Sequence, residues 1–433
     1  MKTIEITPKK LGGTIQIPPS KSVSHRAVMC AALAEGRSQI ENILLSDDIR
    51  ATCKAMEALG AKIAYAETGD KRYTLTIDGC RAVDARGKTV DCIESGSTLR
   101  FMIPLMALKA RDSRVIGRGR LAQRPMGPYY EIFEAQDIAY TKEAEGLELP
   151  LRFTGNLKAG TFKLRGDISS QFITGLLYAL PLLEGDSVIE ITTNLESKPY
   201  VDITLDVLAA FGIAVENEDY RLFKVRGWQH YRARDYRVEG DFSQGAFWLV
   251  GGILGEATAC GDLAGDSCQG DKAIVEIIRQ MKGRVEAGDD GFTAYPSKTE
   301  GAVVDVTQCP DLVPILSVLA ALSAGTTQIV GAARLRFKES DRLAAMNAVL
   351  TTLGADITEE ADGLTIRGVS HLTGGRVDSY NDHRIAMATA IASFACTDKV
   401  ILSGAESVRK SYPDFWEDFE KMGGKINELN LGE

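Results

Sequence analysis

The chain has 433 residues, 45% hydrophobic and 25% charged, with a formal net charge of −9. That length points to about two or three domains with a sizeable core. The acidic balance argues against a general nucleic-acid or membrane-surface binder, which needs a basic face, though it leaves room for a small basic pocket.

The opening residues MKTIEITPKK lack the apolar core of a secretory signal. From Pro19-Ser20-Lys21-Ser22 a polar segment leads into an apolar helix (AVMCAALA). A break at Gly36, a strand and a second polar turn follow, and then an amphipathic helix that ends in ALGAKI. A second, looser unit begins at Glu94-Ser95-Gly96-Ser97-Thr98 and continues through Gln123-Arg124-Pro125. A third begins at Ser169-Ser170-Gln171, passes through the strand SVIEIT, and restarts at Ser197-Lys198-Pro199-Tyr200 before AFGIAV. A fourth, again looser, runs from Phe242 with its opening at Ser243. A fifth opens at Asp311, restarts at Lys338-Glu339-Ser340-Asp341-Arg342 and ends in TLGADI. The sixth opens at Asn381-Asp382-His383-Arg384, restarts at Arg409-Lys410 and ends in MGGKI.

Six openings thus recur roughly every 70 residues, longer than common solenoid periods. The glycine closing each second helix supplies a left-handed cap before a β-branched strand. First helices that are apolar all round belong inside, and second helices with one polar face lie nearer solvent. The expected architecture is α/β: an inside-out α/β barrel in two lobes of three units, helices inside and sheets outside. The lobes are expected to comprise residues 20–239, and residues 1–19 with 240–433. The apolar runs are too short or interrupted to span a bilayer, and the eight cysteines form no Cys-x-x-Cys pair or zinc-like cluster. A cytoplasmic monomer without metal or cofactor is expected.

Polar residues at helix starts, unit after unit, suit anion binding, because those ends carry unsatisfied N–H groups and the positive end of the dipole. Any one Ser, Thr or Asp there is better read as an N-cap. Cations are different, since they oppose the dipole. The sequence places Lys21, Arg26, Arg124, Lys338, Arg342, Arg384 and Lys410 at or just inside such starts, which suggests bound anions that offset the cost.

Competing motifs are weaker. Gly117 to Ala122 imitates a dinucleotide fingerprint, but Pro125 and Pro128 interrupt the helix that must follow. The four histidines show no metal spacing; His25 and His383 sit beside an arginine at a helix start, whereas His230 and His371 read as surface residues. A ring-like repeat protein clasping nucleic acid needs cations along its inner helices, and AVMCAALA, ITGLLYAL and IAMATAIA are apolar.

The segments Pro19 to Arg26, Gln123 to Met126, Ser169 to Phe172, Ser197 to Tyr200, Lys338 to Arg342, Tyr380 to Arg384 and Lys410 to Asp414, in order along the whole chain, resemble the 5-enolpyruvylshikimate-3-phosphate synthases among the enolpyruvyl transferases. The resemblance implies two lobes of three repeats, with the first stretch of chain completing the C-terminal lobe. It implies transfer of the enolpyruvyl group of phosphoenolpyruvate to the 5-hydroxyl of shikimate 3-phosphate, on the route to chorismate and the aromatic amino acids. By matching motif, Lys21, Ser22, Arg26, Ser169, Ser170, Gln171, Ser197, Tyr200, Asp311 and Lys338 would hold shikimate 3-phosphate. Lys21, Gly96, Arg124, Gln171, Arg342, Arg384 and Lys410 would hold phosphoenolpyruvate. Asp311, Glu339 and Lys21 would share the acid–base work, and closure of the lobes on shikimate 3-phosphate would exclude water.

Two residues depart from the commoner pattern. Glu94 replaces an Asn and calls for a cationic partner such as Arg100, and Arg334 stands where an Asn is frequent. Both bear on affinity and inhibitor response rather than on the reaction. The sister transferase acting on UDP-N-acetylglucosamine shares the architecture, but it opens with Lys-Asn and carries a reactive cysteine in a Gly-rich loop. Here Ser22 follows Lys21, and the Arg124 loop holds no cysteine.

Overall fold

The structure, a computed structural model, describes residues 2–80 and 83–429. The chain divides into two compact units, Pro19–Val238 and Met1–Pro18 with Glu239–Glu433. Each unit has its own hydrophobic core.

Twelve α-helices in the described residues give each of the six repeats two. They are α1 (Lys21–Leu33) and α2 (Asp47–Ala58), α3 (Gly96–Ala107) and α4 (Gly127–Ala135), and α5 (Ser170–Ala179) and α6 (Lys198–Ala210) in the first unit. The second unit has α7 (Phe242–Leu254) and α8 (Ala273–Gln280), α9 (Val313–Ala321) and α10 (Arg342–Thr352), and α11 (His383–Ala392) and α12 (Phe415–Lys421). Every residue of α9 and α11 is buried, as the all-round apolar character of these helices requires. Ser20, Ser95, Ser169, Asp241 and Asp382 cap the first helices of five repeats by accepting backbone N–H bonds.

Each repeat contributes to a four-stranded sheet of one fixed order. In the second repeat, Thr89–Asp91 runs parallel to Ala110–Ile116, with Val90 opposite Val115. Leu151–Gly155 then pairs antiparallel, and Ala139–Lys142 forms the far edge. Alternating burial, as in Thr161–Leu164, leaves one face of the strand on the core and the other in solvent. One sheet of the first unit and two of the second take a strand from a distant stretch of chain. Tyr236–Arg237 joins Arg37–Leu44, and Gly13–Gln16 joins Thr258–Gly261. Thr3–Ile6 lies between Val400–Ser403 and Ile426–Leu429, antiparallel to both.

Three local expectations change. The fourth repeat opens on Asp241 rather than Ser243, because Asp241 caps α7 while Ser243 is its second residue and turns its hydroxyl to Asp271. Asp311 sits in the 3-10 turn Pro310–Leu312, one turn ahead of α9. Of the seven cations, Lys21 and Arg342 are the first residues of α1 and α10, and Arg384 is the second residue of α11. Arg26 lies further along α1. Arg124, Lys338 and Lys410 instead end 3-10 turns at Gly119–Gln123, Ala333–Phe337 and Ala405–Lys410. There a cation meets the carbonyl end of a turn, which is the favourable end, so only the first three oppose a helix dipole.

Candidate active site

In the unit Pro19–Val238 the helix starts carry a set of fixed polar groups. Lys21 Nζ donates to Asp48 Oδ2 of α2 at 2.8 Å. Arg26 is buried, and its guanidinium donates to the Ser22 carbonyl (2.7 Å), the Tyr200 carbonyl (2.8 Å) and the Thr204 hydroxyl (2.9 Å). It thereby ties α1 to α6 and sets where Ser22 and Tyr200 lie. Ser197 precedes α6 with φ +56 and makes no capping bond with its side chain. A serine in the left-handed region costs of order 1–3 kcal/mol and fits a hydroxyl held for a ligand rather than for the helix.

At the start of α3 the Arg124 guanidinium lies over Gly96, so close that a Cβ there would sit 2.5 Å from Arg124 Nη1. Bare helix N–H groups and a guanidinium thus share one spot, a cradle for an oxyanion. Arg100 donates to Gln171 Oε1 at 2.9 Å and to the Pro125 carbonyl, and Gln171 Nε2 donates to Ser97 Oγ at 3.0 Å. The Glu94 carboxylate lies against Gly119, at the start of the turn that ends in Arg124. Gly119 has φ +55, and a Cβ there would be 3.0 Å from the carboxyl carbon, so the position needs glycine twice over. Ser169 Oγ accepts from the Gln171 backbone N–H at 3.3 Å, and Ser170 beside it is buried.

In the other unit one guanidinium organises the charges. Arg342 is 1% exposed and donates to three carboxylates, each at 2.8 Å: Asp311 Oδ1, Glu339 Oε2 and Asp382 Oδ2. Arg384 adds a bond to Asp311 Oδ2 at 3.1 Å, and Lys338 Nζ stands 3.6 Å from Asp311 Oδ1. Burial pushes the Asp311 carboxyl up, but Arg384, Lys338 and Arg342 outweigh it and hold the group well below the usual carboxylate range. Lys338 is itself pushed down, by burial and by Arg342, against the pull of Asp311. Lys410 Nζ donates to the Asn381 carbonyl at 2.7 Å, and Arg334 donates to the Thr307 carbonyl.

The structure therefore gathers Asp311, Lys338, Glu339, Arg342 and Arg384 into one network. It also joins Gly96 to Arg124, and Ser22 and Tyr200 to Arg26. Sequence reasoning missed four of the supporting groups. Asp48 holds Lys21. Asp382 caps α11 while accepting from Arg342 and the Ser340 hydroxyl, though it stood inside a motif already singled out. Thr204 anchors Arg26. Asp271, buried and bonded to Ser243, is raised to about 7 by burial and by Asp311, with Arg384 opposing; nothing in Gln269-Gly270-Asp271 marked it. Among the described residues no group of three or more His, Cys, Asp or Glu could hold a metal, and no helix is long and apolar enough to cross a membrane.

Comparison with known proteins gives the family of the chain. The family model for EPSP synthase (3-phosphoshikimate 1-carboxyvinyltransferase) matches residues 6–419. A 3-phosphoshikimate 1-carboxyvinyltransferase of Clostridium novyi is 52% identical, covering 100% of both chains. Among solved structures, EPSP synthase from Acinetobacter baumannii superposes with a TM-score of 0.82 at 27% identity, over 99% of this chain and 100% of that one. The enolpyruvyl transferase NikO from Streptomyces tendae shares the fold, with a TM-score of 0.81 at 19% identity over 99% of each chain. A full-length family match, relatives near half identity and the shared inside-out α/β fold lead to one conclusion: this chain belongs to the EPSP synthase family, the 3-phosphoshikimate 1-carboxyvinyltransferases.

Proposed function

We propose that this chain transfers the carboxyvinyl group of phosphoenolpyruvate to the 5-hydroxyl of shikimate 3-phosphate and releases inorganic phosphate, in aromatic amino acid biosynthesis in the cytoplasm. Family membership supports the reaction. The observation that carries the residue assignment is the Asp311 carboxylate held between Arg342, Arg384 and Lys338, with Glu339 on the same Arg342 guanidinium.

Without substrate, three cations keep Asp311 ionised but make it a weak base. When the phosphate and carboxylate of phosphoenolpyruvate engage Arg342, Arg384 and Lys410, their charge offsets two of those three cations, Arg342 and Arg384. The proton affinity of Asp311 then rises toward a useful value. Asp311 takes the proton of the 5-hydroxyl as its oxygen attacks C2 of the enol, and an acid, Glu339 or Lys21, delivers a proton to the C3 methylene. The product of addition is a ketal carrying methyl, carboxylate, phosphate and the new ether oxygen. Loss of a methyl proton and cleavage of the C2–O–phosphate bond restore the enol and expel phosphate, whose charge the arginines stabilise.

In the unit Pro19–Val238, Lys21, Ser22, Arg26, Ser169, Ser170, Gln171, Ser197 and Tyr200 serve shikimate 3-phosphate, and Lys21, Gly96, Arg124 and Gln171 serve phosphoenolpyruvate. In the other unit Asp311 and Lys338 serve the first substrate, and Arg342, Arg384 and Lys410 the second. The chain acts as a monomer and without nucleic acid. The transient methyl group gives a direct test. In D2O, deuterium should enter the methylene of phosphoenolpyruvate and product only when shikimate 3-phosphate is present; turnover with an unlabelled methylene would exclude the ketal route.

A further inference from the structure

His25 has no part in the steps above, yet it is 1% exposed and stands at the head of a chain of hydrogen bonds that runs from α1 through α2 to the start of α3. Its Nδ1 meets the Thr52 hydroxyl of α2 at 2.7 Å. Thr52 meets the Thr98 hydroxyl of α3 at 2.7 Å. Thr98 donates its hydroxyl to Ser95 Oγ at 2.8 Å and its amide to the same oxygen at 3.2 Å. Thr52, Thr98 and Ser95 are fully buried.

A hydroxyl has one proton to give. Thr98 gives its proton to Ser95, so it accepts from Thr52. Thr52 has then spent its own, so it accepts from His25, and the imidazole proton must sit on Nδ1. The other ring nitrogen, Nε2, is buried with no hydrogen-bond partner, and the Phe101 ring packs edge-on at 6.3 Å between centroids. A bare nitrogen in an apolar wall is tolerable only on a neutral ring.

We infer that His25 is a positioning residue for phosphoenolpyruvate: as a neutral Nδ1–H donor it orders Thr52, Thr98 and Ser95 and so locks α1 and α2 to the start of α3. This rests on the proposed function, because α1 carries Lys21, α2 carries the Asp48 that holds Lys21, and α3 presents the Gly96 cradle under Arg124. The groups assigned to shikimate 3-phosphate on α5 and α6 lie outside the chain of bonds. Arg26 is fixed separately, on Ser22, Tyr200 and Thr204. The charged groups around the ring agree with a neutral imidazole. Burial, then Lys21 and Arg26, hold its pKa well below the histidine range, and Asp48 of α2 is engaged by Lys21. The residues of α2 and α3 that meet the ring, Thr52 and Phe101, carry no charge.

Two measurements test the inference on the full chain. Nitrogen-15 NMR of the four histidines should show His25 as the Nδ1–H tautomer, unchanged between pH 6 and 8; an Nε2–H tautomer, or titration in that range, would overturn the inference. Thr98→Val keeps the shape of the side chain but breaks the relay, and His25→Phe removes the donor. Each should raise KM for phosphoenolpyruvate about tenfold, the worth of one good hydrogen bond, while KM for shikimate 3-phosphate, which shares only Lys21 with the relay, rises by a clearly smaller factor. If Thr98→Val raises both KM values alike, or neither, His25 is only a core residue and the positioning role is wrong, with the proposed reaction left standing.

Discussion

Arg342 shows how much one buried side chain can organise. It is the common partner of Asp311, Glu339 and Asp382, and truncating it would leave Asp382, which is fully buried, with an uncompensated charge. Arg342→Met should cost about 3–5 kcal/mol of stability, measured by urea unfolding, besides abolishing turnover. Asp311→Asn makes the opposite split. It removes the base and also the negative charge that competes for Arg342 and Arg384, so kcat should fall by about 10²–10⁴-fold while phosphate binding, followed by calorimetry, holds or tightens. Asp271 gives a pH test. Its folded pKa of about 7 lies above the ordinary 3.8, so the native state binds that proton more tightly than the unfolded chain does. The resulting stability is present at low pH and is lost as pH rises from about 4 through 7. Asp271→Asn should therefore raise the melting temperature at pH 8 and leave it nearly unchanged at pH 4; equal shifts at both would contradict this. The residues assigned to the proposed ligands were singled out in the sequence because their motifs mark them. Asp271 was not, because its character comes from burial beside Asp311, which local sequence does not encode.

The elements follow from a repeated local rule, an apolar helix opened by a hydroxyl or carboxylate cap. That rule made α1, α5 and α11 readable, and its apolar half alone marked α9, since a segment apolar on all sides has nowhere to lie but inside. It misled at Arg124, Lys338 and Lys410. Short 3-10 turns and second-helix starts share the same polar composition, and only backbone geometry separates the carbonyl end of one from the amide end of the other. It also gave no sign of the close approach of α3 and α5. There Gly175 leaves room for the Tyr129 hydroxyl and the Arg100 carbonyl, which a Cβ would meet at 2.2 and 2.3 Å, while Tyr129 donates to that carbonyl at 2.6 Å. Gly175→Ala should thus destabilise by about 1–3 kcal/mol, although alanine favours helices, and a stabilised variant in thermal melts would refute the packing described.

Over the whole molecule, the six-fold recurrence of roughly 70 residues was readable, and the resemblance implied that the first stretch of chain completes the second unit, but the strands with which it pairs were not readable. Thr3–Ile6 carries four residues of ordinary strand pattern and nothing to say that its partners lie about 400 positions away. The two separate cores predict how fragments behave. Residues 19–238 should melt cooperatively alone, whereas residues 239–433 should not until residues 1–18 are supplied. A permutant running from 239 to 433 and through a short linker into 1–18 should restore folding, since Thr3 pairs with Leu429. Cooperative melting of 239–433 by itself would contradict the described sheets. The central claim is the reaction, and the most direct measurement is release of inorganic phosphate from phosphoenolpyruvate, with shikimate 3-phosphate in one tube and UDP-N-acetylglucosamine in another. Release only with shikimate 3-phosphate is the predicted result. Release only with the sugar nucleotide, or in neither tube with folded protein, would contradict it.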